Sequence, residues 1–328
     1  MDFKDKQRLS RLKERFTQNG RVSRLFSDYL NIYPEFINKE IMDTLMDGAE
    51  FTKKDGVIAL LSSLFSLDIS DRDGREIING YLYPAISVME SDKYIENPYY
   101  EKLRGVEVKY RDWELRWEKY PAYRAFVSGD MVTLDDYREF APIGFFTRDF
   151  DFPAVLEGKN EWMTLTPVDV DTCEGPLNRA HGKVVTFGLG LGYFAYMAAR
   201  KSEVESVTVI EKSEDVIKLF TDCVLPRLEN RDKIRIISDD AFSYAEREMP
   251  RERYDYAFVD TWRDASDGAP MYERMKRLER LSPNTSFDYW VENFLVSRLR
   301  ALKFEQMISE PDKYESYDAF ISELEKGV

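Results

Sequence analysis

One segment constrains this chain more than any other. Val184-Val185-Thr186-Phe187 is apolar and rich in β-branched residues, and it runs straight into Gly188-Leu189-Gly190-Leu191-Gly192. Residues 193–200 then have helical composition. A strand, alternating glycines and a helix in immediate succession make the opening of an α/β unit. Glycine admits φ > 0 and lets a ligand approach the backbone closely. The helix that opens next presents free N–H groups and a partial positive charge. Taken alone, such a segment suits more than one nucleotide-binding fold.

The residues that follow repeat the unit. Positions 206–210, 233–237 and 254–259 read as strands, and 214–228 and 241–248 read as helices. Such alternation specifies a parallel sheet with helices on its faces. The strand ends also carry acids. The second strand ends in Glu211, where a carboxylate can accept hydrogen bonds from both hydroxyls of a ribose. The third ends in Ser238-Asp239-Asp240-Ala241 and the fourth in Asp260-Thr261-Trp262. An open α/β sheet places its ligand crevice at these ends. One acid there is ordinary, but glycines and acids at four strand ends in order are specific.

On these residues, positions 183–262 resemble the class I S-adenosylmethionine-dependent methyltransferases, whose Rossmann-like fold the aminopropyltransferases of polyamine synthesis share. The resemblance implies that Gly188, Gly190 and Gly192 surround the methionine portion of the cofactor and that Glu211 holds its ribose. It also implies that Asp240, paired with Ala241, receives the adenine amino group. Asp260 would then sit at the mouth of the pocket where transfer occurs. If a general base is needed, Asp260 and Asp264 are the placed candidates. Trp262 and Tyr289 can line the acceptor side, or equally be packing residues.

Two departures matter. The family usually carries an acid two residues before the first glycine, contacting the cofactor's amino group, but Thr186 stands there. The family sheet normally has seven strands, and only four are legible after position 183. Residues 289–302 read as a helix, so the sheet is expected to be truncated or completed by strands from 142–167. A bare edge on the fourth strand would be a pairing hazard. Those strands, a second copy of the chain in a homodimer, or a helical cover from 286–328 would each protect it.

The expected function is S-adenosylmethionine-dependent methyl transfer to a small-molecule acceptor. Aminopropyl transfer is the alternative, since Asp260-Thr261-Trp262-Arg263-Asp264 is similar in outline to the paired acids of that family. A third is a non-catalytic adenosylmethionine-binding protein. A nicotinamide cofactor is disfavoured. Gly190-x-Gly192-x-x-Ala195 matches one variant of the dinucleotide fingerprint, but no dehydrogenase catalytic set accompanies it.

The rest of the chain says less. Residues 1–138 read as a helical N-terminal domain, with Leu9, Leu12 and Phe16 at helical spacing. Residues 139–182 read as short strands and a connection, with 143–147, 152–156 and 162–166 as the strands and Gly158-Lys159-Asn160 as a turn. Residues 183–328 read as the Rossmann-like domain with a helical C-terminus. An apolar fraction of 43% is ample for a packed core. The net charge of −14 works against a polyphosphate partner, so no nucleic acid is expected. Two cysteines and a single histidine, His181, leave no metal site to build. The charged N-terminus and the lack of an apolar run near the roughly 20 residues of a membrane span point to a cytoplasmic protein without membrane association.

Overall fold

The computed structural model describes residues 1–263 and 265–327. Its strands, in chain order, are β1 (Ile86–Val88), β2 (Val108–Tyr110), β3 (Trp113–Tyr120), β4 (Ala125–Val127), β5 (Val132–Thr133), β6 (Glu139–Phe140), β7 (Ile143–Phe145), β8 (Phe150–Glu157), β9 (Asn160–Thr164), β10 (Gly182–Phe187), β11 (Val204–Glu211), β12 (Ile234–Ser238), β13 (Tyr256–Val259) and β14 (Ser286–Tyr289). Two units share them. One comprises Met1–Glu90, Pro121–Asp149 and Asn293–Val328, and the other Ser91–Tyr120 and Phe150–Glu292. These differ from the linear division at 138 and 182, because the chain leaves each unit and returns to it.

The second unit holds a parallel five-stranded sheet in the order β12-β11-β10-β13-β14. In terms of the strands' own sequence this is 3-2-1-4-5, the doubly wound arrangement, with its reversal between the first and fourth strands. The three central strands are mostly buried, with Val184, Val185 and Phe187 on β10, Val207, Val209 and Ile210 on β11, and all of β13, while the outer β12 and β14 are largely part-exposed. Helices Tyr193–Ala199, Glu214–Leu219 and Ala241–Arg247 connect them. The protein is an α/β fold with a Rossmann-like parallel sheet flanked by helices.

The sheet edge corrects an expectation. β13 is covered neither by strands from 142–167 nor by helices alone, but by the parallel strand β14. Ser286-Phe287-Asp288-Tyr289 is too short and half polar to stand out in sequence, and its helix starts only at Glu292. The segments expected as strands between 143 and 166 do form strands, in other sheets. β8 and β9 pair antiparallel around Gly158, whose φ is 64°, in the sheet β2-β3-β8-β9.

The N-terminal stretch is not purely helical either. Trp113-Glu114-Leu115-Arg116-Trp117 alternates apolar and charged side chains with period two, the strand pattern, and it forms the first part of β3. The dense aromatics there mask that alternation. The first unit does begin with a long helix, Phe3–Asn31, which Asp2 caps and which buries Leu9, Leu12, Val22, Phe26 and Tyr29. Within the same unit Glu139 and Arg300 form a buried ion pair at 2.6 Å, with the Ser297 hydroxyl donating to the other carboxylate oxygen. Among the described residues no helix is long and apolar enough to cross a membrane.

Candidate active site

The switch between β10 and β13 is where the strand ends meet. Gly188 follows β10 and Asp260 follows β13, and the Asp260 backbone N–H donates to the Phe187 carbonyl at 2.8 Å. Gly188 has a φ of 97°, and a Cβ there would overlap the Asp260 carbonyl oxygen. Only glycine satisfies both conditions. At Gly190, with a φ of 50°, a Cβ would overlap the thioether of Met163 from the end of β9. The glycine loop is therefore closed over by an element the motif itself does not contain. The Tyr99 hydroxyl also ties the loop down by donating to the Leu191 carbonyl.

Glu211 faces this loop. Its Oε2 accepts the Leu189 N–H at 3.1 Å and its Oε1 accepts the Ser213 N–H at 2.8 Å. A carboxylate oxygen can accept two hydrogen bonds, so each retains capacity for a hydroxyl. Asp240 caps the helix Ala241–Arg247, with Oδ1 accepting from Phe242 N and Ser243 N at 3.1 and 3.0 Å. Among the described residues no hydrogen bond falls on Oδ2 of this exposed residue. Ala241 opens that helix.

Between the glycine loop and the helix Pro167–Arg179 lies a cavity of about 20 Å³, room for about one water molecule. Its wall consists of Met163, Leu165, Asp169, Cys173, Thr186, Gly188, Leu189, Tyr193, Phe194, Ala195, Phe258, Asp260 and Trp290. Thr186 is 2% exposed, and among the described residues its hydroxyl reaches only the Gly188 carbonyl, at a limiting 3.5 Å. Burial pushes the Asp260 carboxyl up to about 8, helped by the negative charges of Asp169 and Glu211. Burial likewise raises Asp169 to about 6, against two hydrogen bonds from Thr166 that favour its charged form. The Cys173 thiol is pushed well above its ordinary value by the same burial and by both carboxylates. Such a thiol is an inert wall rather than a nucleophile.

Among the described residues neither Asp169 nor Asp260 has an ion-pair partner, and the Asp260 carboxylate accepts no hydrogen bond. Trp262 and Tyr289 stack on each other, centroids 6.2 Å apart, at the ends of neighbouring strands. The Tyr289 hydroxyl donates to Glu279 at 2.6 Å. The aromatic residues lining the cavity itself are Tyr193, Phe194, Phe258 and Trp290. Among the described residues, Trp262 Nε1 and the Thr261 hydroxyl are buried without hydrogen-bond partners. Asp264 lies outside the described residues. His181 is exposed before β10, its ring Nδ1 hydrogen-bonded to the Arg179 carbonyl. Asp169, Met163 and Trp290 were not identifiable from sequence, because nothing local distinguishes them from capping or packing residues.

Strand order and glycine turn together define a doubly wound, Rossmann-like α/β fold, with its topological switch between β10 and β13. Solved structures share parts of it. The spermidine synthase of Thermotoga maritima matches over 60% of this chain and 62% of its own, at 12% identity and a TM-score of 0.33. The methyltransferase domain of bacterial CtHen1-CN matches over 35% and 58%, at 18% identity and 0.25. A conserved hypothetical protein of Streptococcus pyogenes matches over 30% and 61%, at 16% and 0.25. The chain spans about three fifths of the length of each. No family model and no curated protein matches it.

Proposed function

We propose that this chain is an S-adenosylmethionine-dependent methyltransferase acting on a small-molecule acceptor. Supporting it above all is the charge of the cavity lining: two carboxyl groups, Asp169 and Asp260, and neither lysine nor arginine. A ligand bearing a sulfonium and an ammonium suits such a lining, whereas the pyrophosphate of a dinucleotide would meet repulsion. Glycines at 188 and 190 allow close approach to the backbone, and Glu211 retains an acceptor site on each oxygen for the ribose hydroxyls. The free Oδ2 of Asp240 suits an adenine amino group.

When bound, the cofactor supplies an electrophilic methyl carbon, so the protein chiefly aligns the acceptor and excludes water. Met163 and Leu165 belong to the apolar part of the wall, with Leu189, Phe194, Ala195 and Phe258. Asp260 is protonated at neutral pH while its surroundings are only negative. A positive ligand beside it favours the carboxylate, which can then take a proton from an amine or hydroxyl acceptor.

Aminopropyl transfer is a second reading with its own support. A decarboxylated cofactor keeps both positive charges and loses the carboxylate that this acidic wall would oppose. Calorimetry with adenosylmethionine, its decarboxylated form and NAD, side by side, tests both readings. Binding of either sulfonium cofactor supports the class, and which binds tighter chooses between them. Binding of NAD alone overturns both. Binding without turnover of any acceptor leaves a non-catalytic binding protein.

A further inference from the structure

Asp169 belongs to the helix Pro167–Arg179, before the first strand of the parallel sheet, and not to any strand end. Its Oδ2 accepts the N–H of Thr166 at 2.7 Å and the Thr166 hydroxyl at 2.9 Å. Yet Asp169 lines the cavity at Gly188 together with Thr186, and no lysine or arginine shares that lining. A carboxylate needed only as a helix cap is normally solvated. This one is partly withdrawn from solvent, and its negative charge acts on Asp260. Thr186, almost wholly buried on the same wall, has a hydroxyl with no bond better than the limiting one to Gly188. An ammonium group is about the size of a water molecule, donates three hydrogen bonds and carries the compensating charge.

We propose that Asp169 binds the ammonium group of the cofactor's amino-acid portion, with the Thr186 hydroxyl as a neutral second acceptor. The inference rests on the cofactor class proposed above and adds a residue from outside its strand-end motif. Asp169 is a positioning and binding residue, fixing the amino-acid tail so that the sulfonium end faces Asp260.

The test compares two probes by calorimetry on the full chain. S-adenosylhomocysteine carries the ammonium, and methylthioadenosine keeps the adenosine and sulfur without it. Asp169→Asn is expected to weaken S-adenosylhomocysteine at least tenfold and to leave methylthioadenosine unchanged. Thr166→Ala removes one of the two bonds to Asp169 but keeps the carboxylate, and is expected to retain the difference between the probes. If Asp169→Asn does not fold, Asp169→Glu is measured with the same pair, with a loss again confined to S-adenosylhomocysteine. Equal changes for both probes, or tighter S-adenosylhomocysteine binding, would overturn the proposal while leaving the cofactor class intact. Failure of both probes to bind the unmodified chain would remove the class itself.

Discussion

Gly188 and Asp260 stand side by side at the ends of β10 and β13, so close that the glycine's missing Cβ is the space the aspartate carbonyl occupies. Gly188→Ala must therefore move one strand end and also adopt an unfavourable φ. Strain of this kind costs on the order of 1–3 kcal/mol before any clash is counted. The variant is expected to lose at least about 2 kcal/mol in urea unfolding. Stability equal to the parent's would show that the two strand ends are not held as described.

Asp260 makes stability depend on pH. Its carboxyl is raised from 3.8 to about 8 in the folded chain. Between those values the folded state keeps a proton that the unfolded state has released. Stability is thus full below the lower value and is lost as pH rises toward the upper one. Asp169, raised to about 6, adds to the loss in the lower part of the window. Asp260→Asn cannot ionise, so its stability should fall less between pH 6 and 8 and exceed the parent's at pH 8.5. Parallel urea-midpoint curves for parent and variant across that range would refute the assignment.

Glu211 holds two backbone amides as well as facing the crevice. Glu211→Gln keeps one carbonyl acceptor and loses the charge, so S-adenosylhomocysteine affinity should drop at least tenfold and stability by about 1 kcal/mol. Glu211→Ala leaves both amides without this partner and should cost about 1–3 kcal/mol or more in stability. Calorimetry and urea unfolding on both variants separate the two effects. Unchanged affinity in Glu211→Gln would reduce Glu211 to a loop anchor.

The edge strand β14 is held by Asp288. The buried Tyr256 hydroxyl donates to it, and Arg179 Nε donates to its Oδ2 at 2.7 Å. Asp288→Ala orphans the buried hydroxyl and frees the arginine, an expected cost of about 1–3 kcal/mol. Hydrogen exchange should quicken at 286–289 first, with β10 and β11 still protected. Uniform loss of protection would mean that β14 is not a separately held edge.

What was legible in sequence is what local pattern encodes. The apolar run into Gly188, the alternation of strands and helices from 183 to 262, and the hairpin turn at Gly158 all involve neighbours in the chain. β14 was not legible, since four half-polar residues before a helix carry no period of their own. β3 was hidden because its aromatics served both a helical and an alternating reading until pairing with β8 decided.

By itself the sequence determined the kind of unit this chain builds and which strand ends carry acids, because backbone propensity and side-chain periodicity act over a few residues. Tertiary structure alone decided the strand order, the edge that β14 closes and the meeting of Asp169 with Thr186 and Asp260. Those depend on which distant surfaces bury one another. Burial also set the charge of the two acids: a carboxyl's ionisation follows the solvent it loses and the charges it meets, and neither is written at its own position in the chain.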